Sequence, residues 1–241
     1  MKKLLALLLG LSISGAAIAA PIGDYQTVSI NESLTKIEKK VRESAVKITD
    51  GYGHGSGGII QYHDLQLVLT AQHVANGRIG QQYYVLNGST MESALLIYAD
   101  PLHDISVLYL SDDNALEGRG MKYSPRQDLM PIGGEITYSG HPSWHSLMTY
   151  RGYVAGVETL AGRGPQLMLN TYGWFGCSGS VIYDTDGSIV GILWGVDVEQ
   201  RPDLQVQENM IWVAPIQNLD IKLVINELCD ALEGRPKACR K

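Results

Sequence analysis

Three residue types that together activate a hydroxyl group occur in this chain in the order His73, Asp104 and Ser178. A serine hydroxyl is a poor nucleophile at neutral pH unless an adjacent base removes its proton. That base in turn needs a partner that holds its tautomer and stabilises its charged form. Ser178 could supply the nucleophile, His73 the base and Asp104 the orienting carboxylate. This order of residues predicts catalysis through a covalent acyl-enzyme.

Glycines flank the candidate nucleophile in the segment Gly176-Cys177-Ser178-Gly179-Ser180. Gly176 permits a backbone turn in which the amides of Gly176 and Ser178 point at one place, where they would stabilise a developing oxyanion. Gly179 leaves room for a closely approaching chain. The segment therefore predicts an oxyanion hole beside the nucleophile.

Each candidate residue has a plainer interpretation by itself. A serine between glycines occurs in many turns, His73 could be a hydrogen-bonded core residue, and Asp104 could cap a strand. The surrounding sequence favours the catalytic interpretation, because each residue lies at the end of a predicted strand, where loops present side chains on a rigid scaffold. Residues 67–69 precede His73, residues 105–110 follow Asp104, and residues 180–183 follow Ser178.

The elements that position these residues are predicted as strands, since short apolar or alternating runs recur between turn residues. The six strands of the first half are predicted at residues 45–49, 58–62, 65–70, 82–86, 94–98 and 105–110. The six strands of the second half are predicted at residues 135–139, 148–157, 166–171, 180–183, 189–194 and 210–213. Between the halves, the polar residues 111–129 are predicted to run over the surface as a linker.

Helices are predicted only at the ends of the chain, over residues 31–43, with Asn31 or Ser33 as the N-cap, and over residues 215–232. The two sets of strands predict an all-β fold of two six-stranded antiparallel β-barrels with the active site in the cleft between them, plus a C-terminal helix. Closure into barrels removes exposed sheet edges. One large sandwich is the alternative.

The expected division of the chain follows from these elements. We expect a signal peptide at 1–19, an N-terminal segment at 20–43, a first barrel at 44–115 and a second barrel at 116–214. A C-terminal helix and tail at 215–241 complete the chain.

The first 20 residues have the composition of a secretory signal, with Lys2 and Lys3, an apolar run through Ile13 and small residues that permit cleavage before Ala20. A membrane anchor is the alternative, but the apolar run falls short of the roughly 20 residues that span a bilayer. We expect an exported protein, periplasmic or secreted, without stable membrane anchoring. Without Lys2 and Lys3, 17 basic residues remain against 25 acidic ones, a formal charge of −8, which argues against nucleic-acid binding.

Cys229 and Cys239 lie ten residues apart, and an oxidising compartment would favour a disulfide between them. Cys177 then remains as a free thiol beside Ser178, and we interpret it as buried and inert rather than as the nucleophile. The histidines show no metal-ligand spacing, so neither a metal nor another cofactor is predicted. The remaining histidines near the motifs are interpreted as surface or loop residues: His103, His141 and His145.

Taken in order, these motifs resemble those of trypsin-fold serine proteases, in particular the bacterial glutamyl-endopeptidase and HtrA-type branch. The spacings of 31 residues from His73 to Asp104 and 74 residues from Asp104 to Ser178 are similar to those of the HtrA branch. The resemblance extends from about residue 40 to 220. The matching segments are residues 55–60 (GSGGII), 69–74 (LTAQHV), 104–108 (DISVL), 139–142 (SGHP), 176–180 (GCSGS) and 187–192.

The resemblance implies that His73 is the general base, Asp104 its orienting partner and Ser178 the nucleophile, with the amides of Gly176 and Ser178 as the oxyanion hole. It also implies a specificity pocket between residues 170–174 and residues 192–196. The substrate-binding residues expected there are Asn170, Thr171, Tyr172, Gly173, Ile192, Leu193, Trp194 and Gly195.

Neither Asn170 nor Tyr172 carries the charge that would select lysine or arginine, so small, apolar and acidic side chains remain open as the preferred residue before the cleaved bond. The expected partners are protein or peptide substrates. A catalytically silent relative that only binds peptides or a partner protein is the alternative.

Three features depart from the family pattern. Position 177 is Cys where digestive relatives carry an Asp that pairs with a newly cut N-terminus, so activation by a freed amine is not expected. Ser180 replaces a family glycine, as in glutamyl-endopeptidase relatives. No PDZ domain is expected before Lys241, so HtrA-like chaperone and cage-assembly behaviour is not expected either, and the oligomeric state stays open.

Overall fold

The computed structural model describes residues 33–111, 113–143, 145–200, 203–231 and 239. The described residues from Leu34 onward form one compact unit of the chain. The predicted signal peptide at 1–19, the candidate cap Asn31 and most of the predicted N-terminal segment lie outside the described residues.

The first half of the structure is a closed antiparallel barrel of six strands. Their order around the barrel is β1-β4-β5-β6-β3-β2, and β2 pairs back with β1. Each strand overlaps a predicted one, and the first, third and sixth have the predicted bounds. The strands are β1 (Ala45–Thr49), β2 (His54–Tyr62), β3 (Leu65–Thr70), β4 (Gln82–Asn87), β5 (Thr90–Asp100) and β6 (Ile105–Leu110).

The second half is another closed six-stranded antiparallel barrel, in the order β10-β13-β12-β11-β8-β9. The predicted fold class of two barrels is confirmed. The strands are β8 (Glu135–Gly140), β9 (Met148–Leu160), β10 (Gly164–Asn170), β11 (Val181–Asp184), β12 (Ile189–Gln200) and β13 (Leu204–Pro215). The last two strands are much longer than predicted, because they continue as a two-stranded hairpin beyond the barrel.

The polar stretch between the barrels is only partly the surface linker that was predicted. A short strand within it, β7 (Met121–Lys122), pairs in parallel with β2. Leu116 is fully buried, and its carbonyl accepts a hydrogen bond from the Gln66 side chain at 2.9 Å. Asn114 donates to the same glutamine at 2.8 Å. The expectation of a purely surface linker was wrong, because a polar stretch can pack inward when its side chains satisfy buried backbone groups.

The first helix, α1 (Lys36–Ser44), begins at Thr35 and not at the predicted Ser33. The Thr35 hydroxyl accepts from the Glu38 amide at 3.1 Å, while the Glu38 carboxylate accepts from the Thr35 amide at 2.6 Å. This reciprocal capping box satisfies two amides that the first turn leaves free. Glu38 also pairs with Arg151 of β9, and that hydrogen bond, working against burial, lowers the pKa of Glu38 to about 2. The pair attaches α1 to the second barrel.

The C-terminal helix is confirmed, although it is shorter than predicted. A 3-10 turn, Ile216–Asn218, precedes α2 (Ile221–Ala231). The Asp220 carboxylate accepts from the amides of Lys222 and Leu223 at 3.0 and 3.2 Å, which starts the helix. Cys229 and Cys239 form the predicted disulfide. Within the described ranges, neither α-helix has the length and apolar character needed to cross a membrane.

A shared apolar core joins the two barrels and α2. It contains residues of the first barrel such as Leu69 and Ile105, residues of the second such as Val181 and Ile192, and Val224 of the helix. Each barrel also has its own apolar interior. The loops that carry the candidate catalytic residues therefore extend from strands that this shared core holds in place.

Candidate active site

His73 and Asp104 are brought together by neighbouring strands of the first barrel. Strand β3 ends just before His73, β6 begins just after Asp104, and the two strands pair with Thr70 opposite Ser106. The His73 ring donates from Nδ1 to Asp104 Oδ2 at 2.8 Å, and the His73 backbone amide donates to Asp104 Oδ1 at 2.8 Å. Two hydrogen bonds thus hold the imidazole in one tautomer and one orientation, leaving Nε2 free to accept a proton.

Asp104 is buried and yet ionised. Burial by itself would raise its pKa, but the hydrogen bonds and charge of His73, together with the charge of Arg163, outweigh this and hold the pKa below its ordinary value. Its backbone adopts the left-handed conformation, with a φ of 60°. Asp tolerates this region better than most residues. The carboxylate therefore remains charged at neutral pH, and can stabilise a protonated imidazole.

Ser178 lies in the loop between β10 and β11 of the second barrel, and contacts from the first barrel hold this loop. The Ser56 amide of β2 donates to the Ser178 carbonyl at 2.7 Å. Gly179 has a φ of 91°, and a Cβ at this position would overlap the Ser56 carbonyl and Thr70 Oγ1. It would also lie 3.0 Å from the Ala71 amide, two residues before His73. The loop of the second barrel is thus packed directly against the strand end that carries the imidazole.

The backbone amides of Gly176 and Ser178 differ from the neighbouring amides in their hydrogen bonding. Those of Cys177, Gly179 and Ser180 donate to the carbonyls of Trp174, Leu193 and Cys177 respectively, at 2.7 to 3.0 Å. In the described part of the chain, the amides of Gly176 and Ser178 donate to no backbone carbonyl. Two such amides separated by one residue, the second of them that of the half-buried serine itself, are the arrangement that an oxyanion hole requires.

Ser56 is a site residue that the motif analysis did not single out. Its hydroxyl donates to the Gly176 carbonyl at 2.7 Å and accepts from the His141 amide at 2.8 Å. It therefore sets the orientation of the peptide that follows Gly176. The available signal was a small polar residue inside the glycine-rich segment Gly55-Ser56-Gly57, where a strand ordinarily carries bulky side chains.

His141 lies in the loop after β8. The prediction for this residue was a surface or loop position, and a surface position is wrong because the side chain is buried. Only 8% of it is exposed, and its carbonyl accepts from His54 Nε2 at 3.3 Å. Burial is the main cause that lowers the pKa of His141 to about 4, and the nearby charge of Lys47 adds to it. His103 pairs with Asp100 at 2.6 Å, and His145 is exposed.

Cys177 is fully buried and has no disulfide partner. Burial raises the pKa of its thiol. A thiol in this state is a weak nucleophile at neutral pH.

The predicted pocket walls lie on the two sides of the Ser178 loop. Ile192 and Leu193 are buried, and Trp194 is covered by the Arg163 guanidinium, 4.7 Å above its ring. On the other wall, Tyr172 stacks on Tyr150 with ring centroids 5.3 Å apart. Asn170, Thr171 and the α1–Arg151 junction line a separate cavity of about 920 Å³ under the first turn of α1. Asn170 and Thr171 therefore line this cavity and also begin the segment that leads to Ser178.

Comparison with known proteins connects this geometry to a family. The sequence profile of the trypsin-like peptidase domain matches residues 55–192, which include all three candidate catalytic residues. The chain belongs to the trypsin-like peptidase family. It is therefore a serine-type peptidase by family, and its resemblance to trypsin-fold proteases is confirmed. No curated protein matches the chain.

Solved structures with the same fold are distant in sequence from this trypsin-like peptidase. The inactive form of Rv3671c from M. tuberculosis, described as a protease, aligns with a TM-score of 0.61 at 17% identity, covering 81% of this chain and 92% of that one. The serine endoprotease from Yersinia pestis aligns with a TM-score of 0.60 at 21% identity, covering 82% of this chain and 68% of that one. At these identities the likeness supports the shared fold only.

Proposed function

We propose that this trypsin-like peptidase is an exported serine endopeptidase that cleaves peptide bonds through an acyl-enzyme. The observation that carries the proposal is the pair of hydrogen bonds by which Asp104 orients His73, in a structure that packs the Ser178 loop against the same strand end. His73, Asp104 and Ser178 act as base, orienting carboxylate and nucleophile.

Each step uses a group of this chain. His73 Nε2 accepts the Ser178 proton as Oγ attacks the scissile carbonyl, and the amides of Gly176 and Ser178 bind the resulting oxyanion. The imidazolium then donates its proton to the departing amine, and the acyl group stays on Ser178. A water molecule, deprotonated by His73, attacks the acyl-enzyme, and return of the proton to Ser178 releases the second product.

A free strand edge beside the nucleophile suits an extended peptide. Strand β11 pairs with β12 only as far as Ile192, while β13 continues along the other side of β12 past Val196. Within the described residues, the edge of Trp194–Val196 that faces away from β13 has no strand partner. A substrate that adds to this edge through backbone hydrogen bonds would run past Ser178.

Export is part of the proposal because of the signal-like residues 1–19, and the disulfide between Cys229 and Cys239 supports it. Disulfides persist in oxidising compartments such as the periplasm and the extracellular space. Mass spectrometry of the protein from periplasmic and culture fractions would detect a mature N-terminus near Ala20. An intact Met1 on the folded, active protein would contradict this part.

Labelling with a fluorophosphonate tests the catalytic proposal. The purified chain should form an adduct on Ser178 and cleave casein, and Ser178→Ala should do neither. His73→Ala should lose both activities while its circular dichroism spectrum is unchanged. A folded wild-type protein that takes no label and cleaves nothing would instead support a silent, peptide-binding relative.

A further inference from the structure

The side chain that precedes the cleaved bond has a defined route in this site. When its carbonyl lies against the amides of Gly176 and Ser178, the side chain must enter between the segment that leads to Ser178, residues 171–175, and β12 beyond Leu193. The depth and charge of the gap between these walls therefore decide which residue is accepted.

The gap is closed at the level of Gly173. This residue is buried, and its amide donates to the Glu208 carbonyl at 2.7 Å. A Cβ on Gly173 would overlap Ile211 Cγ2 and would lie 3.3 Å from Val196 Cγ1. The two walls are therefore in van der Waals contact. The fully buried side chain of Ile211 occupies the space that a long substrate side chain would need.

Strand pairing explains why Ile211 lies there. Val196 of β12 is directly opposite Ile211 of β13, after a register shift in β12. Ile211 also belongs to the apolar interior of the second barrel, together with Leu193 and Cys177. Its position is therefore set by packing on several sides, and it cannot swing away at low cost.

The two walls of the gap carry no charged side chain of their own. None of residues 170–174 and 192–196 is a histidine, lysine or arginine. The Arg163 guanidinium lies at one wall, but it covers the Trp194 ring, 4.7 Å from its centroid, whereas the space next to Gly173 is lined by Ile211 and Val196. Glu208 lies near enough to Tyr172 to act on its ring hydroxyl, which places a negative charge at the rim. A lysine or arginine side chain would have to displace Ile211 and Val196 to extend past Gly173.

We propose that Ile211 and Val196 make the specificity pocket shallow, so that this peptidase cleaves after small uncharged residues such as alanine, serine or valine. The inference rests on the proposed function and names the substrate class of the same site. The sequence left small, apolar and acidic side chains open as the residue before the cleaved bond, and this inference selects the small ones.

A set of fluorogenic peptides that differ only in the residue before the cleaved bond tests this. For the wild type, kcat/KM with alanine or valine should exceed that with phenylalanine, lysine or glutamate by on the order of 100-fold. Ile211→Ala should raise the phenylalanine-to-alanine ratio of kcat/KM at least about tenfold, because it empties the space beside Gly173.

Val213→Ala is the matched control, since Val213 is equally buried on the same strand but is paired with Leu193 and Leu167. It should leave the phenylalanine-to-alanine ratio unchanged. If Ile211→Ala does not fold, Val196→Gly, at a partly exposed position, should shift the ratio in the same direction.

Wild-type preference for phenylalanine, lysine, arginine or glutamate would overturn the inference while leaving the proposed catalytic function intact. An equal shift in the Ile211 and Val213 variants would also overturn it. If the peptides are not cleaved but Ser178 is labelled, the labelling rates of aryl phosphonates carrying an alanine or a phenylalanine side chain give the same comparison. Absence of all labelling would contradict the proposed function itself.

Discussion

The two halves of the catalytic arrangement are held in different ways. His73 and Asp104 lie at the ends of adjacent strands of one barrel, so the register of β3 and β6 is enough to bring them together. The Ser178 loop belongs to the other barrel and is held across the cleft by Ser56, which also accepts a hydrogen bond from His141 of the second barrel, and by the close packing of Gly179. The first half therefore depends on local strand pairing, and the second depends on contact between the barrels.

Asp104→Asn should have the largest effect on turnover, about 10⁴-fold in kcat, while changing the fold little. The neutral amide cannot hold the imidazole in the productive tautomer or stabilise its protonated form. Steady-state kinetics with a peptide substrate, together with thermal unfolding, would measure both properties. A loss below about tenfold would break the assignment of Asp104 as the orienting group.

Gly179→Ala should lower activity by at least about 100-fold and also destabilise the protein, by about 2 to 4 kcal/mol. The new Cβ would meet the Ser56 carbonyl and Thr70 Oγ1, and would push the nucleophile loop away from the first barrel. Gly133→Ala is the control, because Gly133 has a similar φ of 84° but no atom within 4 Å of a Cβ. If both variants keep full activity, the packing across the cleft does not position Ser178.

Ser56→Ala should reduce kcat about tenfold, with a stability cost of about 1 kcal/mol. The lost hydrogen bond to the Gly176 carbonyl would let the peptide between Gly176 and Cys177 rotate, and this peptide separates the two proposed oxyanion-hole amides. Ser44→Ala is the matched control, since the buried Ser44 hydroxyl also donates to a backbone carbonyl, but to that of Val41 at the end of α1 and not to one in the catalytic loop. Equal kcat values for the two variants would show that Ser56 has only a structural role.

His141 should make the stability of the cross-barrel contact depend on pH. Its pKa is about 4 in the folded protein, below the ordinary value of 6.5, so the unfolded chain binds the proton first as the pH falls. The contribution of His141 to the free energy of unfolding should be constant above about pH 6.5, and should decrease by about 3 kcal/mol between pH 6.5 and 4. Chemical denaturation of wild type and His141→Gln across this range should show a smaller slope in the variant.

The strands were predictable from sequence where burial is continuous or alternating and turn residues mark both ends. The bounds of β1, β3 and β6 match the prediction. Strands β3 and β6 are wholly buried runs in which every residue favours the same assignment, and β1 is buried at most of its positions. The long ends of β12 and β13 were missed, because Asp197, Glu199 and the polar residues before Met210 lack the apolar pattern of a barrel strand. Their pairing is a two-stranded hairpin outside the barrel.

The helix cap and the linker depend on contacts that a short stretch of sequence does not show. Ser33 and Thr35 are both good N-cap residues, and only the reciprocal bonds with Glu38 decide between them. The burial of Leu116 depends on Gln66, 50 residues away. His141 was assigned to the surface because a histidine carries no signal of the residues that will cover it.

The amino-acid sequence alone determined which chemical groups this peptidase has, in what order, and on which strand ends they lie. Such properties depend on residue type and on short-range periodicity, which a chain carries before it folds. Only the tertiary structure decided that Ser56 bonds the Gly176 carbonyl, that His141 is buried and that Ile211 packs against Gly173. Each of these depends on contacts between residues far apart in the chain, and close packing of the two barrels sets those contacts.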